Sequence, residues 1–267
     1  MSKKNEDPVK GTGEWAKTTW NLQSGCRNRC AYCFAEGMAV RFKRKTPETW
    51  GSPDISPNKV NQRFGKRKGR IMFPSTHDID EHNIDVCVTA LKKMLAVGNE
   101  VLIVSKPRLD CIQRLCDELS GFKTQITFRF TVGSADDVVL KAWEPGAPSF
   151  AERLACLKLA FDAGFQTSVS CEPMLDGNIH AVIEAAHPYV TDSIWLGKAN
   201  QLRQAVAINR PGDQKVKALA DGLIATMTDD YIMGLFARYR DDTVIKFKDS
   251  IKKVVGLERP TEKGLDV

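Results

Sequence analysis

The sequence predicts an α/β protein whose parallel sheet forms a partial (β/α)6 barrel. Strand-like apolar runs alternate with amphipathic helical runs, and this alternation implies parallel strands joined by right-handed helical crossovers. Six such units between residues 16 and 200 favour an open barrel over a doubly wound sheet. Beyond residue 200 the apolar spacing is helical, which predicts a C-terminal helical extension over residues 201–267.

The individual elements follow from apolar spacing and from the residues that begin and end helices. A Ser149/Glu152 capping box begins one helix and Gly164 ends it, while Gly98 and Asn99 end another. The predicted strands are 18–22, 70–75, 100–106, 125–134, 166–174 and 192–197. The predicted helices between them are 83–99, 109–122, 149–165 and 178–189. Residues 1–15 are expected to form an N-terminal tail, and residues 41–70 an insertion after the first unit.

The composition argues against a membrane protein and against a disulfide scaffold. Hydrophobic residues make up 42% of the 267 residues, which is enough for a normal core. No apolar stretch approaches the roughly 20 residues that span a bilayer, and the first residues lack the apolar segment of a secretory signal. Eight unevenly spaced cysteines are too few for a disulfide framework. We therefore expect a cytoplasmic protein without membrane contact.

Positive charge is concentrated in the insertion at residues 41–70. This segment holds ten basic and two acidic residues, a local charge of +8, whereas the whole chain carries +6. Phe42, Trp50 and Phe64 interrupt the charges, a composition that suits a polyanion such as nucleic acid. The residues predicted to bind nucleic acid are Arg63, Lys66, Arg67, Lys68 and Arg70. The alternative is a solvated loop whose charge only increases solubility.

Three cysteines lie within eight residues, among polar residues and turn formers: Cys26, Cys30 and Cys33. Structural zinc needs four ligands, normally in two separated pairs, and a disulfide would leave one thiol unpaired. An iron–sulfur cubane takes three thiolates from one tight loop and leaves one iron for another ligand. The spacing favours the cluster, with zinc as the alternative. Four other cysteines sit in apolar helical stretches and are expected to be small buried residues: Cys87, Cys111, Cys116 and Cys156.

The stretch "GCRNRCAYCF", residues 25–34, resembles the signature of the radical S-adenosylmethionine (radical SAM) superfamily. That signature is CxxxCxxC with an aromatic residue before the last cysteine, here Tyr32, which by this resemblance lies at the cofactor. The resemblance implies that Cys26, Cys30 and Cys33 hold a [4Fe–4S] cluster. It also implies that S-adenosylmethionine chelates the fourth iron and yields a 5′-deoxyadenosyl radical. An electron donor such as flavodoxin or ferredoxin would reduce the cluster.

A second resemblance, over residues 105–107, 128–137, 143–165 and 169–177, is to the spore photoproduct lyase-like branch of that superfamily. By this resemblance Lys106 meets the cofactor carboxylate, and Thr131 and Ser134 hydrogen-bond the cofactor. Ser75 and Thr76 lie where the superfamily contacts the methionyl amine, although "PSTHDID" replaces the usual glycine-rich sequence. Glu172 would face the cavity. Cys171 is a candidate hydrogen-atom donor or, alternatively, an inert core thiol; His77 and Asp78 bind substrate or cap the next helix.

Taken together, these features predict a radical enzyme that acts on a nucleic acid base, with DNA as the expected substrate. The reaction would be repair by a lyase or modification, including isomerisation of a hypermodified thymidine. We expect the basic insertion on the same barrel edge as the cluster, because it leaves the first β/α unit. One alternative is a radical enzyme for a small molecule or peptide, with the insertion as a lid. Another is a zinc-stabilised nucleic-acid-binding module without catalysis.

Overall fold

The computed structural model describes residues 7–267 and contains one seven-stranded parallel sheet, with strands in chain order. The strands of this sheet are β1 (Thr18–Thr19), β4 (Ile71–Phe73), β5 (Val101–Ser105), β6 (Ile126–Thr131), β7 (Gln166–Cys171), β8 (Ile194–Leu196) and β9 (Ile245–Phe247). Within the described chain no ladder joins β1 to β9, so the sheet is open between these two strands. A separate antiparallel ladder pairs β2 (Gln23–Ser24) with β3 (Asp54–Ile55). The predicted α/β class with an open parallel sheet is confirmed.

Helices lie between successive strands of the parallel sheet, as the alternating pattern predicted, and one further helix lies at each end of the chain's strand order. They are α1 (Thr12–Trp15), α2 (Phe34–Arg41), α3 (Pro57–Asn61), α4 (Ile84–Ala96), α5 (Leu109–Glu118), α6 (Asp137–Trp143), α7 (Phe150–Asp162), α8 (Ile179–Ala186), α9 (Leu202–Asn209), α10 (Gln214–Thr226), α11 (Asp229–Tyr239) and α12 (Asp249–Val255). Two short 3-10 helices cover Ser120–Gln125 and His187–Tyr189. The capping box is present, since the Ser149 hydroxyl accepts a hydrogen bond from the Glu152 amide at 3.2 Å. None of the described helices is both long and apolar enough to cross a membrane.

The two faces of the sheet differ in character because successive side chains of a strand alternate between them. The helix-facing side carries the main apolar core, with Phe128 and Val169 among its fully buried side chains. The inner side has a smaller apolar group that includes Leu102 and Trp195, together with buried polar side chains such as Arg129. Thr131 and Ser170, at the carboxyl ends of β6 and β7, are polar residues of the inner side.

Both ends of the chain differ from the prediction. A seventh strand, β9, pairs with β8 inside the region predicted to be a helical extension. The predicted tail packs onto the inner side, where Trp15 is 4% exposed and contacts Trp195 edge to face; residues 1–6 lie outside the described residues. The first strand is shorter than predicted, because Asn21 leaves the ladder and accepts a hydrogen bond from the Ser75 amide at 2.7 Å.

The expectation that the basic insertion stays beside the cysteines is wrong for its second half. From β3 the chain follows α3 along α4, and Lys66 donates to the Gly98 carbonyl just before β5. The Arg67 amide donates to Asn99 Oδ1 at 2.7 Å. Arg70 precedes β4 and pairs with Asp266. These residues, with Lys68 between them, lie at the amino end of the sheet, whereas functional groups of parallel α/β folds gather at the carboxyl end. Arg63 is exposed on the connecting segment.

Candidate cofactor site

The cysteine loop, residues 25–33, leaves β2 at the carboxyl end of the sheet. Gly25 has a φ of 102°, and a Cβ there would lie 2.8 Å from the Trp50 carbonyl oxygen, so only glycine fits. The same carbonyl accepts a hydrogen bond from the Cys26 amide at 3.0 Å, and Trp50 is buried. At the other end Cys33 caps α2, where its Sγ accepts from the Glu36 amide at 3.4 Å. The loop therefore has fixed ends.

The sulfur atoms of Cys26, Cys30 and Cys33 are not drawn together as the thiolates around one zinc ion would be. Among the described residues these three Sγ atoms do not form a group within 4.8 Å of one another. Tetrahedral zinc with bonds of about 2.3 Å would draw its thiolates to roughly 3.8 Å. Burial raises the pKa of all three thiols, that of Cys33 to about 11. Without a metal they are protonated at neutral pH, so a positively charged cluster must displace their protons.

Asp78 forms hydrogen bonds both to the cysteine loop and to residues at the end of β5. Its carboxylate accepts hydrogen bonds from the Lys106 amide at 2.7 Å, Asn28 Nδ2 at 2.8 Å and Ser105 Oγ at 3.1 Å. Cys26 Sγ lies 3.8 Å away. Burial alone would raise the pKa of Asp78, but the Lys106 cation and amide outweigh burial and lower that pKa. Asp78 thus stays ionised in the site and is not the cap of the next helix.

Lys106, predicted to meet the cofactor carboxylate, lies beside the cysteine loop. Its Nζ is 3.7 Å from Asp78 Oδ2 and 5.7 Å from the centre of the Tyr32 ring. Burial would lower the pKa of Lys106, but Asp78 raises it well above its usual range. Lys106 is 9% exposed, so its charge is held in a nearly dry site where a carboxylate would be bound strongly.

A buried network connects Tyr32 to the barrel. The Tyr32 hydroxyl donates to Glu144, whose other oxygen lies 2.5 Å from Arg153 Nη2. Neither side chain of this ion pair is exposed. Arg153 also donates to the Thr131 carbonyl at 3.2 Å, at the end of β6. Glu144 and Arg153 therefore do more than pair across a turn, because they tie the signature aromatic to the fourth strand of the sheet.

The segment after α6 packs directly on the cysteine loop. The Gly146 amide donates to the Asn28 carbonyl at 3.1 Å, and a Cβ on Gly146 would lie 2.4 Å from the Arg27 carbonyl oxygen. Arg108 donates to the Gly146 carbonyl at 2.7 Å and to Asn28 Oδ1 at 3.2 Å. The glycine of "EPGAPS" is thus required by the close approach of two backbones.

A further contact, which the sequence did not reveal, comes from the end of α9. Asn209 Nδ2 donates to the carbonyls of Ala31 at 3.0 Å and Cys33 at 2.9 Å. The next residue, Arg210, pairs with Glu36 at 2.8 Å, and the Glu36 side chain is fully buried. These contacts join positions more than 170 residues apart in the chain, and no motif surrounds Asn209.

Two predicted cofactor contacts use their polar groups within the protein. Ser134 donates to Asp176 and accepts from the Asp136 amide at 2.9 Å, and it is completely buried. Its hydroxyl hydrogen is thus used within the protein, and its predicted contact with the cofactor stays a prediction. Ser75 Oγ accepts from Asn21 Nδ2 at 2.8 Å. Ser75 and Thr76 both remain partly exposed at the end of β4, so their role stays a prediction.

One position of strand register decides which residues of β7 face the site. Ser170 is paired with Thr131 on one side and Trp195 on the other, so these side chains share the inner face. The Ser170 hydroxyl is buried and has no hydrogen-bond partner among the described residues. Cys171 points to the opposite side, where it is fully buried in the apolar core against the helices. This placement favours the alternative of an inert core thiol, and the role of hydrogen-atom donor stays a prediction.

Glu172 begins an ion network at the edge of the inner side. Its carboxylate lies 3.2 Å from Lys248 Nζ, and Lys248 also pairs with Glu14 at 2.9 Å. Lys248 is 1% exposed and stacks 4.0 Å above the centre of the Trp15 ring. Burial raises the pKa of Glu172, and Lys248 opposes that rise. The Glu172 side chain is partly exposed and already has a cation beside it, and its predicted place at the cavity stays a prediction.

The sequence model of the radical SAM superfamily matches residues 20–186, more than half of the chain. The chain is also 25% identical over 182 residues to the uncharacterized protein ORF301 of Acidianus two-tailed virus, a match that covers 63% of this chain and 60% of that one. The match thus spans less than two thirds of that relative's length.

Two solved structures share the fold. Spore photoproduct lyase complexed with dinucleoside spore photoproduct superposes with a TM-score of 0.56 and 15% identity, over 91% of this chain and 79% of that chain. The Streptococcus suis protein SuiB bound to S-adenosylmethionine superposes with a TM-score of 0.55 and 10% identity, over 91% of this chain and 53% of that one. At these identities the likeness concerns the fold. With the family match and the cysteine loop at the carboxyl end of the sheet, the chain belongs to the radical SAM superfamily, whose cofactors are a [4Fe–4S] cluster and S-adenosylmethionine.

Proposed function

We propose that this protein is a radical SAM enzyme whose substrate is a nucleic acid, with a base or its modification as the target. The observation that carries the chemistry is the trio of the buried Cys26 and Cys30 and the partly exposed Cys33, with the cation of Lys106 next to it. Three thiolates leave one iron of the cluster for S-adenosylmethionine. When bound and reduced, the cluster supplies the electron that cleaves the cofactor and releases a 5′-deoxyadenosyl radical.

The protein's own residues bind and orient the cofactor. Lys106 binds its carboxylate, and Asp78 keeps the lysine charged and directed at the site. Thr131 and Ser170 present hydroxyls from adjacent strands on the inner face, and the unpartnered Ser170 hydroxyl offers a hydrogen bond to the cofactor or substrate. Burial of these groups excludes water, which would otherwise quench a radical or weaken each polar contact.

The nucleic acid substrate is supported by charge and by likeness to one solved structure. The segment at residues 41–70 is the most basic of the chain. The solved lyase that shares the fold carries a dinucleoside photoproduct. A base that reacts in such a buried site must leave its stack, so single-stranded or damaged DNA is the favoured substrate. Repair by a lyase and modification, including isomerisation of a hypermodified thymidine, both remain within this proposal. We place the reaction in the cytoplasm, with a flavodoxin or ferredoxin as electron donor.

Release of 5′-deoxyadenosine tests the proposal. Reconstituted protein is incubated without oxygen with S-adenosylmethionine and dithionite, and the release is compared with and without single-stranded DNA. We expect iron and sulfide in stoichiometric amounts, release that increases with DNA, and loss of both in Cys30→Ala. Colourless protein that retains zinc and releases nothing would instead support a zinc-stabilised binding module. If the release of 5′-deoxyadenosine did not change when nucleic acids were added, the proposed substrate class would be wrong.

A further inference from the structure

Two aromatic side chains are exposed at the two ends of α2, the helix that follows the cysteine loop. Phe34 is 73% exposed and Phe42 is 58% exposed, whereas most phenylalanines of the chain are buried or partly buried. Phe34 comes directly after Cys33. At a rise of about 1.5 Å per residue the two rings lie about 12 Å apart along the helix. An aromatic pair of this kind beside a reactive site indicates a ligand with flat groups.

Cations surround the second of these rings. The guanidinium carbons of Arg41 and Arg44 each lie 5.9 Å from the centre of the Phe42 ring, and Lys43 is exposed between them. In the described part of the chain none of these three cations has a carboxylate partner within 4.0 Å, whereas Lys45 pairs with Asp54 at 2.5 Å. The only acidic residue of α2 is Glu36, which is buried and paired with Arg210. The exposed charge of α2 and of residues 42–44 is therefore entirely positive.

The residues predicted from sequence to bind nucleic acid are less suited to the task. Lys66 donates to a backbone carbonyl, and Arg70 pairs with Asp266, both at the amino end of the sheet. A strand bound there could not present a base to the cysteine loop at the opposite end. Arg41 and Arg44, in contrast, belong to the half of the insertion that stays with α2, whose N-cap is Cys33 itself.

We infer that the α2 surface, formed by Phe34, Arg41, Phe42, Lys43 and Arg44, binds single-stranded nucleic acid next to the cofactor site. Every base has a face that can stack on an exposed phenylalanine, while the adjacent guanidinium groups contact phosphates. An acidic protein partner would match the charge but not the exposed rings flanked by cations. The inference rests on the proposed function and deepens it, because it identifies where the substrate strand is held.

The test uses a fluorescein-labelled oligothymidine of about 12 nucleotides, long enough for one binding site. Its affinity for the full-length protein without cluster is measured by fluorescence anisotropy between about 50 and 200 mM salt. Arg41→Gln/Arg44→Gln is compared with Lys66→Gln/Lys68→Gln, a control that removes the same charge at the other end of the sheet. Far-ultraviolet circular dichroism verifies that both variants are folded.

The α2 double variant should lose affinity and reduce the salt slope by about 1.4, since each phosphate contact in a single strand contributes about 0.7. The control should keep the slope of the unmodified protein. Phe42→Leu should weaken binding roughly tenfold at every salt concentration, because stacking does not release ions. Equal losses in the α2 variant and the control would overturn the inference. An unchanged oligothymidine affinity in Phe42→Leu would also overturn it, because the surface would then bind polyanions or acidic proteins through charge alone.

Because binding is measured without the cluster, the result does not depend on radical chemistry. Failure of the proposed function would appear as absent iron and absent 5′-deoxyadenosine in the reconstituted protein. Failure of the α2 surface would appear as unchanged oligothymidine affinity in the variants.

Discussion

The buried ion pair between Glu144 and Arg153 allows a quantitative test of how the cysteine loop is supported. Glu144→Leu removes the carboxylate that lies 2.5 Å from Arg153 Nη2, in a place where neither side chain is exposed. Arg153 would keep its hydrogen bonds to the carbonyls of Pro148 and Thr131. Its positive charge would lose the carboxylate of Glu144 that neutralises it. Removal of one partner from a buried pair lowers the free energy of unfolding by about 3–5 kcal/mol. For a chain of this size the melting temperature should fall by roughly 10 °C.

Urea unfolding of the cluster-free protein measures this loss, with a surface pair as its control. Lys92 and Glu118 also lie 2.5 Å apart, but their side chains are 46% and 36% exposed, so Glu118→Gln should change the free energy of unfolding by less than about 1 kcal/mol. Adding Arg153→Met to Glu144→Leu should recover a large part of the loss, because the unpaired buried charge disappears. If Glu144→Leu were no worse than Glu118→Gln, the pair could not be what anchors Tyr32 to the barrel.

Three further outcomes follow from the same site. Lys106→Met should weaken S-adenosylmethionine binding at least about tenfold in anaerobic equilibrium dialysis, since one charge-assisted contact is lost, while the iron content stays unchanged. Equal affinity would show that Lys106 does not bind the cofactor. Asn209→Ala removes two hydrogen bonds to the loop, each contributing about 1 kcal/mol, and should lower iron and sulfide per chain after reconstitution. The exposed Asn178→Ala is its control and should reconstitute fully. Cys171→Ala should retain 5′-deoxyadenosine release and product yield, with only about 1 kcal/mol lost in stability; an abortive product in that variant would show that the thiol does reach the substrate.

The sequence predicted the order of strands and helices well because apolar runs and helix ends are local signals. It missed β9 because Ile245–Phe247 has three residues with a lysine in the middle, and only pairing with β8 makes it a strand. It singled out Cys171 as a candidate donor or inert core thiol and did not notice Ser170, because the chemistry of a thiol is conspicuous in a sequence. Which of these two neighbours faces the site depends on the register of the strand, and that register cannot be read from the sequence alone.

Charge counted along the chain proved a poor guide to charge in space. The basic residues 41–70 look continuous in the sequence, but the segment passes from the carboxyl end of the sheet to the amino end. There Arg70 meets Asp266, 196 residues away in the chain, which removes it from any free positive surface. Asp78 shows the converse case: its sequence context suggested a helix cap, yet contacts from Lys106 and Asn28 make it the polar centre of the site.

Protein groups from several parts of the chain form hydrogen bonds with the cysteine loop. These bonds bear on how the cluster is bound. Buried backbone groups in a loop without regular structure must find partners. Here the Ala31 amide donates to the Trp143 carbonyl at 2.8 Å, while the carbonyls of Ala31 and Cys33 accept from Asn209. Gly146 and Asp78 hold the segment around Asn28. Small zinc domains fold only when their metal binds. In contrast, protein groups already pair several main-chain groups of this loop, so cluster binding does not have to fold it. The free energy of binding is then available to displace protons from the three thiols.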